Sequence, residues 1–321
     1  MKSFSFLSTP VKKLIEQDYP ELNYGEYFSS IEFEDRSLLV ETNIPNLIPL
    51  LNKRFYCVSK TKLSFCQAFV KIIKSKENLI IETSYRKTIC LWNELSIFFV
   101  KRNSTNKIIQ AGSFNQAIGS SDPLDDSLTA EINTLIYFFI EREILLEINY
   151  LYRDYLFLHA SCVYNDMSKL VFLGPSYSGK TTLASAFESL GWQFLSDDII
   201  AIHRITKEIK SFPKKKHLRE GTRNLINNIH LSKIAKKEYM NKPNTRGYFL
   251  CGYNQGHDPE VIPVTNLADT LNQISQHLII QTKMNGEEKF NQLFPIFDKW
   301  EFFEIRSIYG DLTSTIEGII Q

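Results

Sequence analysis

Residues 174–181 read Gly174-Pro175-Ser176-Tyr177-Ser178-Gly179-Lys180-Thr181, the spacing G-x-x-x-x-G-K-[ST] set between an apolar run and a helical pattern. The run Leu170-Val171-Phe172-Leu173 is short and rich in β-formers, as a buried strand requires. Beyond the loop, Leu183, Ala184, Phe187 and Leu190 recur at helical spacing, and Gly191 stands where a C-terminal cap is expected. In a loop so placed, glycines let backbone N–H groups converge on phosphate oxygens. Lys180 adds a point charge, and the Thr181 hydroxyl suits Mg²⁺. The following helix directs its partial positive charge at the same spot. Gly174, Ser176, Ser178, Gly179, Lys180, Thr181 and Thr182 are therefore the expected nucleoside-triphosphate contacts. A Gly/Ser-rich turn that merely precedes a helix is the plainer alternative.

The 321 residues exceed one usual domain, and 43% hydrophobic content is ample for packed cores, so two domains are expected. Lys and Arg number 37 against 36 Asp and Glu, and a net charge of +1 argues against nucleic acid as partner. Five cysteines with no C-x-x-C pair and no nearby histidine cluster fit reduced thiols in a cytoplasm rather than a zinc site. Cys162 and Cys251 lie in apolar runs and read as packing residues, as do Trp192 and Trp300. No secretory signal is expected from the opening residues. The stretch Ile132 to Tyr152 is very apolar, but Glu141, Arg142, Glu143 and Glu147 interrupt it, which is costly in lipid. It reads as a buried helix with one stripe at Ile132, Leu135, Ile136 and Phe139 and another at Ile140, Ile144 and Ile148. No membrane partner is expected.

Gly119-Ser120-Ser121-Asp122-Pro123-Leu124-Asp125-Asp126 is the densest cluster of turn formers, and it sets the expected domain junction. Residues 1–120 carry short apolar runs such as Ser37–Val40, Asn78–Glu82 and Leu95–Val100, which point to a smaller β-rich or α+β module for recognition or regulation. Residues 121–321 then form an α/β domain that includes the connecting helix.

Two further elements flank the loop. Ser196-Asp197-Asp198 follows the apolar Trp192-Gln193-Phe194-Leu195, and paired acids near a phosphate loop can divide metal binding from orientation of an acceptor. An Asp pair in a surface turn is the alternative. His159 sits in Phe157–Tyr164, a run able to pair with the strand at Leu170 through a turn at Asn165-Asp166, on the face opposite Leu158 and Ala160.

Together His159, the Gly174–Thr181 loop and Leu195-Ser196-Asp197-Asp198 resemble the catalytic domain of the HPr kinase/phosphorylase family. The resemblance is greater to the HPr kinase-related proteins found with modified-peptide biosynthesis. It continues through Ser211-Phe212-Pro213-Lys214-Lys215-Lys216-His217-Leu218-Arg219-Glu220-Gly221 and covers about residues 150–310. The resemblance implies a P-loop fold with a central mixed sheet, ATP and Mg²⁺, and oligomers in some relatives. It also implies that Lys180 meets the β and γ phosphates, Thr181 ligates Mg²⁺, and Asp197 takes the proton of an attacking serine hydroxyl. His159 would stand close to Asp197, and Asp198 would assist the metal. Thr182 departs from the acidic residue usual after the loop hydroxyl in that family. No copy of the segment tied to phosphorylase activity is visible, so forward kinase activity is expected, with HPr a poor candidate acceptor.

Charge supports the same chemistry. From Arg204 to Arg246 there are 13 Lys/Arg against 3 Asp/Glu, a local +10 in a chain of total +1, which leaves −9 for the remainder. A solvated face is one reading. The other has Lys214, Lys215, Lys216, Arg219 and Arg223 surround a triphosphate or attract an acidic peptide, Arg219 first among them. The expected reaction is transfer of the γ-phosphoryl group of ATP to a serine hydroxyl on a peptide or protein. The alternatives are a small-molecule alcohol as acceptor, or a nucleotide-gated binding module without turnover.

Overall fold

Among the described residues, strands outnumber helices. The structure, a computed structural model, describes residues 27–44, 47–58, 68–74, 78–84, 86–91, 96–102, 108–115, 130–216, 226, 244–251, 259–279, 285–306 and 312–320. It is mixed α/β and divides into two units, Met1–Tyr152 and Arg153–Gln321.

The first unit is an eight-stranded sheet in the order β3-β1-β2-β4-β5-β6-β7-β8. Its elements are β1 (Tyr27–Phe33), β2 (Arg36–Thr42), α1 (Leu47–Arg54), β3 (Cys57–Val58), β4 (Ala68–Lys74), β5 (Asn78–Thr83), β6 (Arg86–Leu91), β7 (Ser96–Arg102), β8 (Ile108–Asn115) and α2 (Ala130–Leu151). All pairings are antiparallel except β2 with β4. The expected junction at 119–126 lies outside the described residues. Helix α2 belongs to this first unit and not to the second, because it packs on β2, β4 and β5. Ile140, Ile144 and Ile148 are buried as their spacing predicts. The acids that interrupt the apolar stretch are buried too, and they explain the attachment. The Ser84 N–H donates to Glu147 Oε1 at 3.1 Å, and burial raises the Glu147 pKa despite that bond. At the helix end, Tyr152 donates its hydroxyl to Arg36 O and sets its ring edge-on to Phe33. Among the described residues no helix is long and apolar enough to cross a membrane.

The second unit comprises β9 (Tyr155–Leu158), β10 (Ala160–Tyr164), β11 (Ser168–Leu173), α3 (Lys180–Ser189), β12 (Gln193–Ser196), β13 (Ile200–His203), β14 (Ile209–Ser211), β15 (Asn244–Leu250), β16 (Glu260–Pro263), α4 (Leu267–Gln276), α5 (Gly286–Phe297), β17 (Glu301–Arg306) and α6 (Leu312–Ile320). Its main sheet, β12-β10-β11-β15-β17-β16, is mixed: β11, β15 and β17 run parallel and the flanking pairs antiparallel. Strand alternation sends Leu170, Phe172, Tyr248 and Leu250 into one core under α3 and α6. Val171, Leu173 and Phe249 enter a second core, shared with α4, α5 and the small sheet β14-β13-β9. A sheet covered on both faces needs the continuous apolar strands seen here. Trp192 and Trp300 pack at the core margins. Cys162 is fully buried, whereas Cys251 lies just past the end of β15 and is exposed, because the apolar run stops at Leu250.

Candidate functional site

The run expected as one strand over Phe157–Tyr164 is broken at His159. Its backbone N–H donates to His277 O at 2.7 Å instead of joining either ladder. Phe157 and Leu158 go to the small sheet, and Ala160 onward pairs with β11. The break leaves His159 half-buried at the corner between two sheets. The hairpin to β11 forms as predicted: Asn165 Oδ1 accepts from the N–H groups of Met167 and Ser168, a side-chain turn that asparagine favours.

The β11–loop–α3 passage also follows the sequence. Gly179 has φ +97, a conformation that glycine adopts without strain, and it opens α3 with no side-chain cap. The helix closes in a Schellman motif, with Gly191 at φ +93 and Trp192 N–H bonded to Phe187 O at 3.1 Å. A Cβ on Gly174 would lie 2.5 Å from Ser178 Oγ and 3.0 Å from Leu250, so only glycine fits there. Ser178 is buried with its hydroxyl unpartnered, and Ser176 is exposed on the loop. Lys180 is 6% exposed, and its ammonium donates to Gly174 O and Pro175 O, both at 2.8 Å. Burial pulls its pKa down to about 8 against the opposing pull of Asp198 and Asp197. A buried ammonium held only by carbonyls, an orphan hydroxyl and an uncapped helix start together fit an anionic group.

Thr181, on the first turn of α3, donates its hydroxyl to Asp197 Oδ1 at 2.8 Å, and Ser161 Oγ donates to the same oxygen at 2.6 Å. Asp197 is buried. Thr182, also on the first turn, is half-buried.

Asp198 turns the other way. The Ile199 N–H bonds to Asp197 O at 2.7 Å, and the residue between has φ +66, the form of the rare γ-turn. That turn separates the two carboxylates. His159 Nε2 lies 2.7 Å from Asp198 Oδ1, and Lys214 Nζ pairs with Oδ2. A carboxylate only accepts, so His159 carries its proton on Nε2. Partial burial opposes ionisation of Asp198, but the His159 hydrogen bond and the Lys214 charge outweigh it and hold the pKa well below the usual carboxylate range.

His159 thus stands on Asp198 and not on Asp197, contrary to what the resemblance implies, and Thr181 stands on Asp197. Of the basic segment, Lys214 reaches the site. Lys216 instead pairs with Glu188 and covers the Phe194 ring. Arg219 and Arg223 lie outside the described residues. Two participants escaped the sequence reading. Ser161 had a signal, since it is two residues along the strand from His159 and shares its parity. His277 had none: it arrives through the bridge between Leu158 and Leu278, and burial, with the His159 and Lys180 charges, lowers its pKa to about 4.

Thr181 and Asp197 offer oxygen donors of the type Mg²⁺ takes. Among the described residues no three His, Cys, Asp or Glu side chains converge. Magnesium beside a nucleotide needs only one or two carboxylates, the remainder coming from phosphate and water. The chain matches no family model and no curated protein.

Proposed function

We propose that this protein is an ATP-dependent kinase that transfers the γ-phosphoryl group to a hydroxyl, that of a serine in a peptide or protein. The observation that carries the reading is the hydrogen bond of Thr181, on the first turn after the loop, to Asp197, beside a buried Lys180 ammonium held by the Gly174 and Pro175 carbonyls. The resemblance to HPr kinase-like proteins supports a P-loop domain and a serine acceptor.

Gly174, Ser176, Ser178, Gly179 and the first turn of α3 hold the phosphates through backbone N–H groups, and Lys180 leaves its carbonyls for phosphate oxygens. Thr181 and Asp197 would hold Mg²⁺, which when bound neutralises phosphate charge. The acceptor-facing carboxylate is Asp198, a reassignment from Asp197. Asp198 is half-buried where Asp197 is buried, so an incoming hydroxyl reaches the former. Asp198 orients that hydroxyl and takes its proton as the acceptor oxygen bonds to phosphorus and the bond to the β-phosphate oxygen breaks. A carboxylate of low basicity suffices, because a loose transition state asks mainly for position and charge. His159 and Lys214 fix the two oxygens of Asp198 in place. Lys180 and Lys214 oppose the charge that develops on the transferring group.

The test is incubation of the purified chain with Mg²⁺-ATP and a pool of serine-containing peptides. A gain of one phosphate on a peptide, with ADP formed in equal amount, is expected. Failure to bind Mg²⁺-ATP would overturn the reading.

A further inference from the structure

The two tight turns that present Asp198 and Lys214 share one side chain. Ser196 is the last residue of β12 and is 2% exposed. Its hydroxyl donates to Ile199 O at 2.6 Å and accepts from the Phe212 N–H at 3.3 Å. Ile199 closes the turn around Asp198 by bonding Asp197 O. Phe212 O closes a second three-residue turn by accepting from the Lys214 N–H at 2.7 Å. The β13–β14 ladder brings the two stretches side by side, but it ends at the pair Ile200 and Ser211. Beyond that pair, the Ser196 hydroxyl continues the connection to both turns. Asp198 in turn sits at positive φ, a strained conformation that persists only where its surroundings over-determine it.

We infer that Ser196 is a positioning residue, its hydroxyl setting the registration of the Lys214 turn on the Asp198 turn and so the orientation of the acceptor-facing carboxylate. The inference rests on the proposed kinase reading for its functional consequence, and on the hydrogen bonds alone for its structural one. Serine suits the place because one hydroxyl donates and accepts at once within a buried gap. Without it, the Phe212 N–H and the Ile199 carbonyl lose the hydroxyl that bonds them both, and each turn relaxes separately.

A merely structural hydroxyl and a positioning hydroxyl are separated by a double-mutant cycle with Lys214. Ser196→Ala is expected to lower kcat about tenfold with the affinity for Mg²⁺-ATP unchanged, the mark of an interaction made in the transition state. In a Lys214→Met background the same substitution is expected to lower kcat by less than about twofold, because the partner it registers is gone. Ser196→Thr keeps the hydroxyl and restores kcat. An equal loss from Ser196→Ala in both backgrounds, or a Ser196→Thr variant as slow as Ser196→Ala, would overturn the inference.

Amide hydrogen exchange without nucleotide gives an activity-free reading. Ser196→Ala is expected to speed exchange at Ile199 and Lys214 together, one amide on each turn. Faster exchange at Phe212 alone, or no change at any of the three, contradicts the inference. Absence of phosphoryl transfer in the unsubstituted protein would sink the kinase reading and leave this exchange result to decide the role of Ser196.

Discussion

His159 Nε2 stands 2.7 Å from Asp198 Oδ1, while the adjacent Asp197 directs its own Oδ1 to Thr181 and Ser161. Consecutive carboxylates in an extended strand already point to opposite faces. Here the positive φ of Asp198 adds a reversal, and each acid acquires its own partners. One is buried beside the loop hydroxyl, and the other is half-open and braced by two basic groups. In the proposed kinase, this split would let one acid serve the metal and the other the acceptor.

Asp197→Asn is expected to raise the Mg²⁺ concentration needed for half-maximal turnover, because it removes an anionic donor beside Thr181. A magnesium titration of turnover at fixed ATP checks this. An unchanged midpoint would take Asp197 out of the metal site.

Lys180→Ala is expected to weaken ATP binding by about tenfold to a hundredfold, the worth of a charge-assisted hydrogen bond. In the unsubstituted protein, affinity for ATP should hold level up to pH 8 and fall above it, because Lys180 without ligand loses its proton near pH 8. Calorimetric titrations between pH 7 and 9.5 read this directly. Affinity that stays level throughout would show that the Lys180 charge is not used.

Gly174→Ala places a Cβ against Ser178 and Leu250, while Gly247→Ala places one 2.5 Å from the Phe302 ring. Both are expected to destabilise the fold by about 1–3 kcal/mol in chemical denaturation, the usual effect of overpacking. Only Gly174→Ala should also abolish nucleotide binding. Equal binding by the two variants would mean that Gly174 serves packing alone.

His277 gives an acid-side signature. Its folded pKa of about 4 lies below the ordinary 6.5, so the unfolded chain binds the proton first as pH falls. Its contribution is whole above pH 6.5 and is lost progressively between 6.5 and 4. His277→Gln is expected to flatten the fall in stability over that window, as followed by urea denaturation at several pH values. A curve parallel to the unsubstituted protein would contradict the assignment.

Much of this site was legible because its parts are local. The loop, the capping by Gly191 and the turn at Asn165 each depend on residues within a few positions of one another. Other features depend on contacts that no local pattern carries. The partner of His159 is not legible in the sequence, because nothing in Ser196-Asp197-Asp198-Ile199 announces a γ-turn. Lys214 looked like one of three equivalent lysines until the Phe212–Lys214 turn set it on Asp198. Likewise, helix α2 reads as a connector in sequence, yet the Ser84 bond to Glu147 ties it to the first sheet.

Single-turnover phosphoryl transfer by Asp198→Asn with saturating Mg²⁺-ATP, measured beside its ATP-binding isotherm, tests the role of Asp198 as proton acceptor. Unchanged ATP affinity and a loss of about 10²–10⁴ in rate, the range for removing a positioned proton acceptor, are expected. Transfer at the unsubstituted rate would contradict that role.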